Sequence, residues 1–255
     1  MEQKEIKVSK TDPDSGYMVR EGKPEGFYYL DHRTVDMKYN IITDVHVTPG
    51  NIHDSLPYIE RLERQMKRFD FKVEAVALDS GYLTTPICQK LKEKKIFAVI
   101  AHRRFSPTQG LFHKWQFTYE REKDTYLCPN HHELVYRTTD RKGYRHYASN
   151  PEVCRHCPFL AKCTRSQNHR KVITRHVWED SKEWVRANRL SKSGKQLYKI
   201  RKKTIERSFA DAKQLHGFRY CRLRGLRNVR EQALMTAAVQ NMKKIALHLE
   251  LHPVK

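Results

Sequence analysis

Val73-Glu74-Ala75-Val76-Ala77-Leu78-Asp79-Ser80-Gly81-Tyr82 is a short apolar run that stops at an acid and then turns. Its length suits a buried strand rather than a helix. Ser80-Gly81 supplies the turn, and Thr85-Pro86 opens a helix to about Lys94, with Pro where a first helical turn tolerates it. Ile96 to Ile100 is a second buried strand. Upstream, Phe27 to Val35 is aromatic and β-branched, Met37 to Asn40 turns the chain, and Ile41 to Val47 returns it as a hairpin. Pro49-Gly50-Asn51 breaks the pattern. Asp54 is placed to cap a helix from Ser55 to about Arg68, with Leu56, Ile59, Leu62 and Met66 on one face. Residues 27–100 therefore read β-β-α-β-α-β, an α/β signature. Residues 1–26 read as an irregular, turn-rich lead-in.

Asp79 sits where sites form in open α/β sheets, at the carboxyl end of a strand. The competing reading is a turn Asp bonded to its own backbone.

The chain has 50 Lys and Arg against 29 Asp and Glu, a formal charge of +21. Such an excess repels itself, and points to a polyanionic partner held by counterion release. Nucleic acid leads. A membrane span needs about 18 apolar residues in a row, and no run approaches that. Met1 to Lys10 lacks the apolar centre of a signal peptide. A cytoplasmic, nucleoid-associated protein with no membrane partner is expected. Thirteen tyrosines argue for a folded basic protein rather than a disordered one.

Residues 101–177 hold four of the six cysteines in short alternating runs. A small, Cys/His-rich β insertion is expected. Cys154-Arg-His-Cys157 is a C-x₂-C knuckle, Cys163 follows, and Cys128 offers a distant arm. Structural zinc takes four such ligands; the expected set is Cys128, Cys154, Cys157 and Cys163, with His131 as substitute. Ordinary buried thiols are the alternative. Cys88 and Cys221 stand alone and read as packing residues.

Trp178 to Leu190 and Lys195 to Leu215 read as helices. In the second, Glu206 and Lys213 are seven apart and share a face. Taken alone, Glu206 among Arg201, Lys202, Lys203 and Arg207 reads as a solvated, charge-paired helix. Arginines crowd the stretch from Gly217 to Arg230. Asn228 is placed to cap a last helix to about Leu249, with Val229, Ala233, Ala237, Ala238, Met242, Ile245 and Leu249 on its apolar face.

Leu78-Asp79-Ser80-Gly81-Tyr82, followed far downstream by Thr204-Ile205-Glu206-Arg207-Ser208-Phe209 and Lys213, resembles the DDE transposases of bacterial insertion sequences. The branch is the one with a Tyr/Arg/Glu/Lys signature around its last acid. Val47-Thr48-Pro49-Gly50-Asn51-Ile52-His53-Asp54 and the stretch from Gly225 to Asn241 are similar to that family too. The resemblance runs from about Ser9 to Leu249. It implies an RNase H-like mixed sheet flanked by helices, formed by residues 27–100 and 178–250. Its order is three antiparallel strands, a helix, a strand ending in the second acid, further α/β units, then a helix with the last acid. One strand is missing at the front, the strand that carries the first Asp. The chain thus reads as a C-terminal portion. Asp12 and Asp14 lie where a segment follows that strand, and Asp36 in the hairpin is a poor substitute. One departure is local: the signature places Tyr and Arg seven and four residues before the Glu, positions held here by Lys199 and Lys202, while Tyr198 and Arg201 stand one residue earlier.

The resemblance implies in-line displacement at phosphorus, with two Mg²⁺ (or Mn²⁺) ions about 3.5–4 Å apart. Asp79 would be shared by both ions and Glu206 would bind one. Lys213, Arg201 and Lys202 would hold phosphate, with Tyr198, Arg207, Arg222 and Arg224 among the DNA contacts. Transposon ends and target DNA are the implied partners, with homo-oligomerisation left open. Two carboxylates alone predict weak metal binding and little catalysis. Two rivals stand beside this reading. One is a non-catalytic DNA-binding or regulatory protein that uses the zinc-stapled insertion. The other is a metal-dependent nuclease completed by a carboxylate such as Asp36.

Overall fold

Alternating apolar residues build the first sheet. β1 (Gly16–Met18), β2 (Gly26–Val35) and β3 (Ile42–Pro49) are antiparallel. The computed structural model describes residues 7–20, 22, 24–102 and 110–251; the start of the lead-in and part of the stretch opening the Cys-rich segment lie outside them. β1 takes Gly26 to Tyr28 and β3 takes Tyr29 to Val35. At their junction a Cβ on Gly16 would come within 2.5 Å of Gly50 N, and one on Gly50 within 2.8 Å of Gly16 O. Two strands on opposite sides of a third lie about 9–10 Å apart. β1 therefore continues β3 along one edge of β2, and only glycine fits where they meet. Among the described residues the opposite edge of β2 has no strand partner.

The lead-in is more ordered than its composition predicts. Besides β1, Asp14 Oδ2 accepts from Leu226 N at 2.9 Å and Asp12 Oδ1 from Gly225 N at 3.2 Å.

α1 (Tyr58–Phe69) starts three residues later than expected and has no side-chain cap. Leu56 is exposed; the buried face is Tyr58, Arg61, Leu62 and Gln65. Asp54 is engaged elsewhere, as shown below. β4 (Ala75–Leu78) and β5 (Phe97–Ile100) pair in parallel across α2 (Thr85–Glu93). β5 is buried at Ala98, Val99 and Ile100, while β4 is exposed at Ala75 and half-buried from Val76 to Leu78. Cys88 packs in the core.

The chain divides into two compact units, 1–101 with 185–255, and 102–184. In the second, β6 (Thr118–Glu120), β7 (Thr125–Leu127), β8 (Glu133–Thr139), β9 (Tyr144–Ser149) and β10 (Val172–His176) form an antiparallel sheet in the order β10-β9-β8-β7-β6. Its core is Phe117, Tyr126, Leu134, Tyr147 and Ile173. Two short helices, α3 (Pro151–Arg155) and α4 (Leu160–Cys163), carry Cys154 and Cys163, with Cys157 in the turn between them.

α5 (Glu179–Leu190) is followed by α6 (Lys192–Arg201), a π-helical segment (Lys202–Glu206) and α7 (Arg207–Leu215). The single helix expected over 195–215 is thus interrupted. α8 (Leu226–Leu251) begins two residues before Asn228, whose side chain bonds Arg224 O instead of capping. The acids of the lead-in meet its free amides, where negative charge is favoured. Val229, Ala233 and Ala237 pack on Ile42, Val45 and Val47. Met242, Ile245 and Leu249, expected on the same face, are exposed, because β3 underlies only the first half of the helix. The first unit is locked by Arg33. Its buried guanidinium pairs with Asp31, donates to Ser208 Oγ at 3.0 Å and Gln240 Oε1 at 2.9 Å, and stacks on Phe209. No described helix is long and apolar enough to cross a membrane.

Candidate active site

Asp79 ends β4 in an extended conformation and caps the 3₁₀ turn Ser80–Tyr82. Its Oδ1 accepts from Gly81 N at 2.9 Å, so the turn role foreseen for it is real. The other oxygen is free to do more: Arg201 Nη2 lies 3.7 Å from Oδ2. The same guanidinium donates to Glu206 Oε1 at 2.8 Å. One arginine therefore faces both carboxylates, which are 127 positions apart in sequence.

The π segment makes this possible. A π-helix bonds i to i+5 and so stacks residues five apart. Arg201 and Glu206 are five apart, and an α-helix would turn them away from one another. Thr204 bonds Ile200 O and Arg201 O within the segment. The extra residue in this turn absorbs the one-residue offset of Arg201 noted in the sequence. Tyr198 is held between Arg189, at 4.1 Å from the ring centroid, and Arg201, at 5.8 Å.

The remaining residues singled out in the sequence are placed less centrally. Lys202 and Lys213 are exposed and form no ion pair with a described residue. Lys213 acts electrostatically on Asp31 rather than pairing with Glu206. Arg207 pairs with Asp211 at 2.9 Å. Arg222 and Arg224 are exposed beside α8 and have no carboxylate partner among the described residues. Asp36 caps the hairpin turn, accepting from Tyr39 N at 2.6 Å.

Sequence reasoning missed Asp54 as more than a cap. Its Oδ1 lies 3.7 Å from His32 Nδ1 and its Oδ2 3.6 Å from Arg20 Nη2. Asp79 and Asp54 both flank Gly81, 3.2 and 3.7 Å from where a Cβ would stand. The Val47-to-Asp54 motif was the available signal. His32 is buried and bonds Thr48 Oγ1 at 2.8 Å. Burial, with Arg61, His46 and Arg20 adding to it, pushes its pKa down to about 4, so the ring is neutral at pH 7. Burial, reinforced by Asp54 and Asp79, pushes the Tyr82 hydroxyl up to about 12.

Cys128, Cys154, Cys157 and Cys163 line one pocket of about 130 Å³. Burial pushes the Cys163 thiol up, and the other three cysteines act in the same direction. His132, not the expected His131, joins them there. Among the described residues no group of three or more His, Cys, Asp or Glu already stands at metal-binding spacing, at this pocket or at the carboxylates.

Residues 127–246 match a family model described as a transposase DDE domain. This part of the chain belongs to the DDE-class transposases. The transposase match contains Arg201, Glu206, Lys213 and the four clustered cysteines, and Asp79 lies upstream of it. No curated protein matches the chain, and no solved structure does. DNA transposition is the general activity of this transposase family.

Proposed function

We propose that the chain is the catalytic portion of a DDE transposase with an RNase H-like core. Residues 27–100 and 178–250 form that core, 101–177 are a Cys/His-rich insertion, and 1–26 lead in. Asp79 and Glu206 are its metal-binding carboxylates. The observation that carries this reading is the bridge from Arg201 to both. A cation already sits between two acids drawn from distant parts of the chain, and oxygen donors of this kind suit Mg²⁺ or Mn²⁺. When bound, the metal would stabilise the attacking and leaving oxygens at a DNA phosphodiester. The protein's own part is to position. β4 fixes Asp79, the π segment turns Glu206 toward it, and Arg201, Lys202 and Lys213 offer phosphate contacts, with Tyr198, Arg207, Arg222 and Arg224 extending the basic surface. Transposon ends and target DNA are the substrates on this reading, and the protein works in the bacterial cytoplasm.

Two acids make a weak site, so cleavage by this chain alone is expected to be slight. The test is Mn²⁺ binding followed by electron paramagnetic resonance, with duplex-DNA binding followed by fluorescence anisotropy. Wild type should bind Mn²⁺ weakly, and Asp79→Asn with Glu206→Gln should abolish that binding while DNA is retained. Mn²⁺ binding undisturbed by the double substitution overturns the assignment. The four-thiol pocket supports structural Zn²⁺ in the insertion, since its donor set suits that ion.

A further inference from the structure

The hairpin that joins β8 to β9 in the second unit carries Arg137, Arg141 and Lys142, all exposed and none in an ion pair with a described residue. Asp124, Asp180 and Glu183, by contrast, are each held by an arginine. β7 pairs with β8 only as far as Val135, so the chain from Tyr136 to Thr139 has no strand on that side among the described residues. The turn itself is rigid. Asp140 Oδ1 accepts from Lys142 N and Tyr144 N, each at 2.9 Å, and Oδ2 lies 3.4 Å from His146 Nε2. Gly143 has φ +80° and its carbonyl accepts from Val177 N at 2.9 Å; a Cβ on it would come within 3.1 Å of His176 Nε2. Glycine is favoured there on both counts. Beside the turn, three rings stand in a row. Tyr144 meets His176 edge-on with centroids 5.0 Å apart, and His176 meets Trp178 at 5.3 Å. His176 is buried, and its Nδ1 accepts from Trp178 N at 3.0 Å. Tyr144 and Trp178, on either side of it, stay 38% and 42% exposed. The core of this unit is built on Phe117, Tyr126 and Tyr147 and does not include them.

We propose that this end of the second unit binds unpaired bases of single-stranded DNA, with Tyr144 and Trp178 stacking on bases and Arg137, Arg141 and Lys142 holding the phosphates beside them. Every base has a π-face, and rings set beside a basic track hold single strands without reading their sequence. Duplex DNA offers no such faces along its length, because its bases cover one another, and it would engage the cations alone. An acidic peptide would also use the cations and leave both rings in water. That the polyanion is DNA rests on the transposase reading above; the pairing of free rings with free cations does not.

Fluorescence anisotropy of the full chain with labelled oligonucleotides tests it. The probes are a short thymidine strand, an abasic strand with the same number of phosphates, and a duplex of equal length. The wild type should hold the thymidine strand about tenfold more tightly than the abasic one. Tyr144→Ala with Trp178→Ala should remove that preference and leave duplex binding unchanged, which also shows that the variant is folded. Trp178→Leu, apolar but without a ring, should lose part of the preference where Trp178→Phe keeps it, and this separates stacking from packing. Arg141→Ala with Lys142→Ala should flatten the salt dependence on the thymidine strand by about 1.4 in logarithmic slope, ~0.7 for each phosphate released. Equal binding of thymidine and abasic strands overturns the proposal. So does a preference that survives the loss of both rings, or one that Trp178→Phe loses as fully as Trp178→Leu. Tighter binding of an oligouridine strand overturns it too, by assigning the surface to RNA. A chain that binds the duplex without preferring the thymidine strand fails here alone, whereas a chain that binds no DNA fails the transposase reading as well.

Discussion

Arg201 Nη1 donates to Glu206 Oε1 at 2.8 Å across a π-helical turn, and its other nitrogen faces Asp79. Two carboxylates without that guanidinium repel each other and attract any available cation. Arg201→Gln is expected to tighten Mn²⁺ binding several-fold and to weaken binding of duplex DNA. Paramagnetic titration and anisotropy on the same samples measure both. Unchanged or weaker Mn²⁺ affinity would show that the arginine does not stand in the metal's place.

Arg33 ties β2, α7 and α8 together in the first unit. Arg33→Leu leaves Asp31 buried without its counter-charge. Removing one partner of a buried pair costs about 3–5 kcal/mol. A urea titration of Arg33→Leu should show that loss, and Asp31→Asn in the same background should recover part of it. A loss below about 1 kcal/mol would mean the network is solvated.

His32 gives a pH dependence whose sign follows from its depressed pKa. The folded protein holds the ring neutral until about pH 4, while an unfolded chain takes up the proton near pH 6.5. The unfolded state therefore binds more protons between these values. Stability is complete above about pH 6.5 and falls toward pH 4, by on the order of 3 kcal/mol. Urea melts across that range should show a steeper decline for wild type than for His32→Gln. Parallel declines would contradict the assignment.

The four-cysteine pocket predicts one zinc per chain in protein purified without chelator, measured by elemental mass spectrometry. Cys154→Ser with Cys157→Ser should lose the metal and lower the melting temperature, since structural zinc contributes folding energy directly. Metal-free wild type with the same melting temperature would refute it.

Asp14→Ala removes the carboxylate at the first turn of α8. A lost cap costs about 1 kcal/mol, and Asp12→Ala should add to it. Thermal melts of the single and double variants provide the measurement.

The hairpin, the strand before Asp79 and the βαβ unit after it were legible because short apolar runs and turn residues declare themselves locally. β1 was not: Gly16-Tyr17-Met18 becomes a strand only because Gly26 to Tyr28 lies beside it. The meeting of Arg201 with Glu206 was hidden because a spacing of five means separation in an α-helix and contact only in a π turn. Asp54 was misassigned to the nearest helix, since a capping acid and an acid facing a buried histidine look alike in sequence. The second half of α8 shows the opposite failure. Its apolar periodicity is genuine, but periodicity does not say whether a partner is present, and Met242 and Leu249 remain exposed.

The bonds from Gly225 and Leu226 back to Asp12 and Asp14 bear on how the chain acquires its structure. These contacts span 213 and 212 positions, about as non-local as a chain of 255 residues allows. Closing so long a loop costs entropy before any contact returns stability, and folding rates fall as such contacts accumulate. At about 5–20 residues per second, synthesis leaves the first acids waiting ten seconds or more, on the order of the time needed to make the intervening chain. Through that interval the edge of β2 that has no strand partner among the described residues is available to any extended segment nearby.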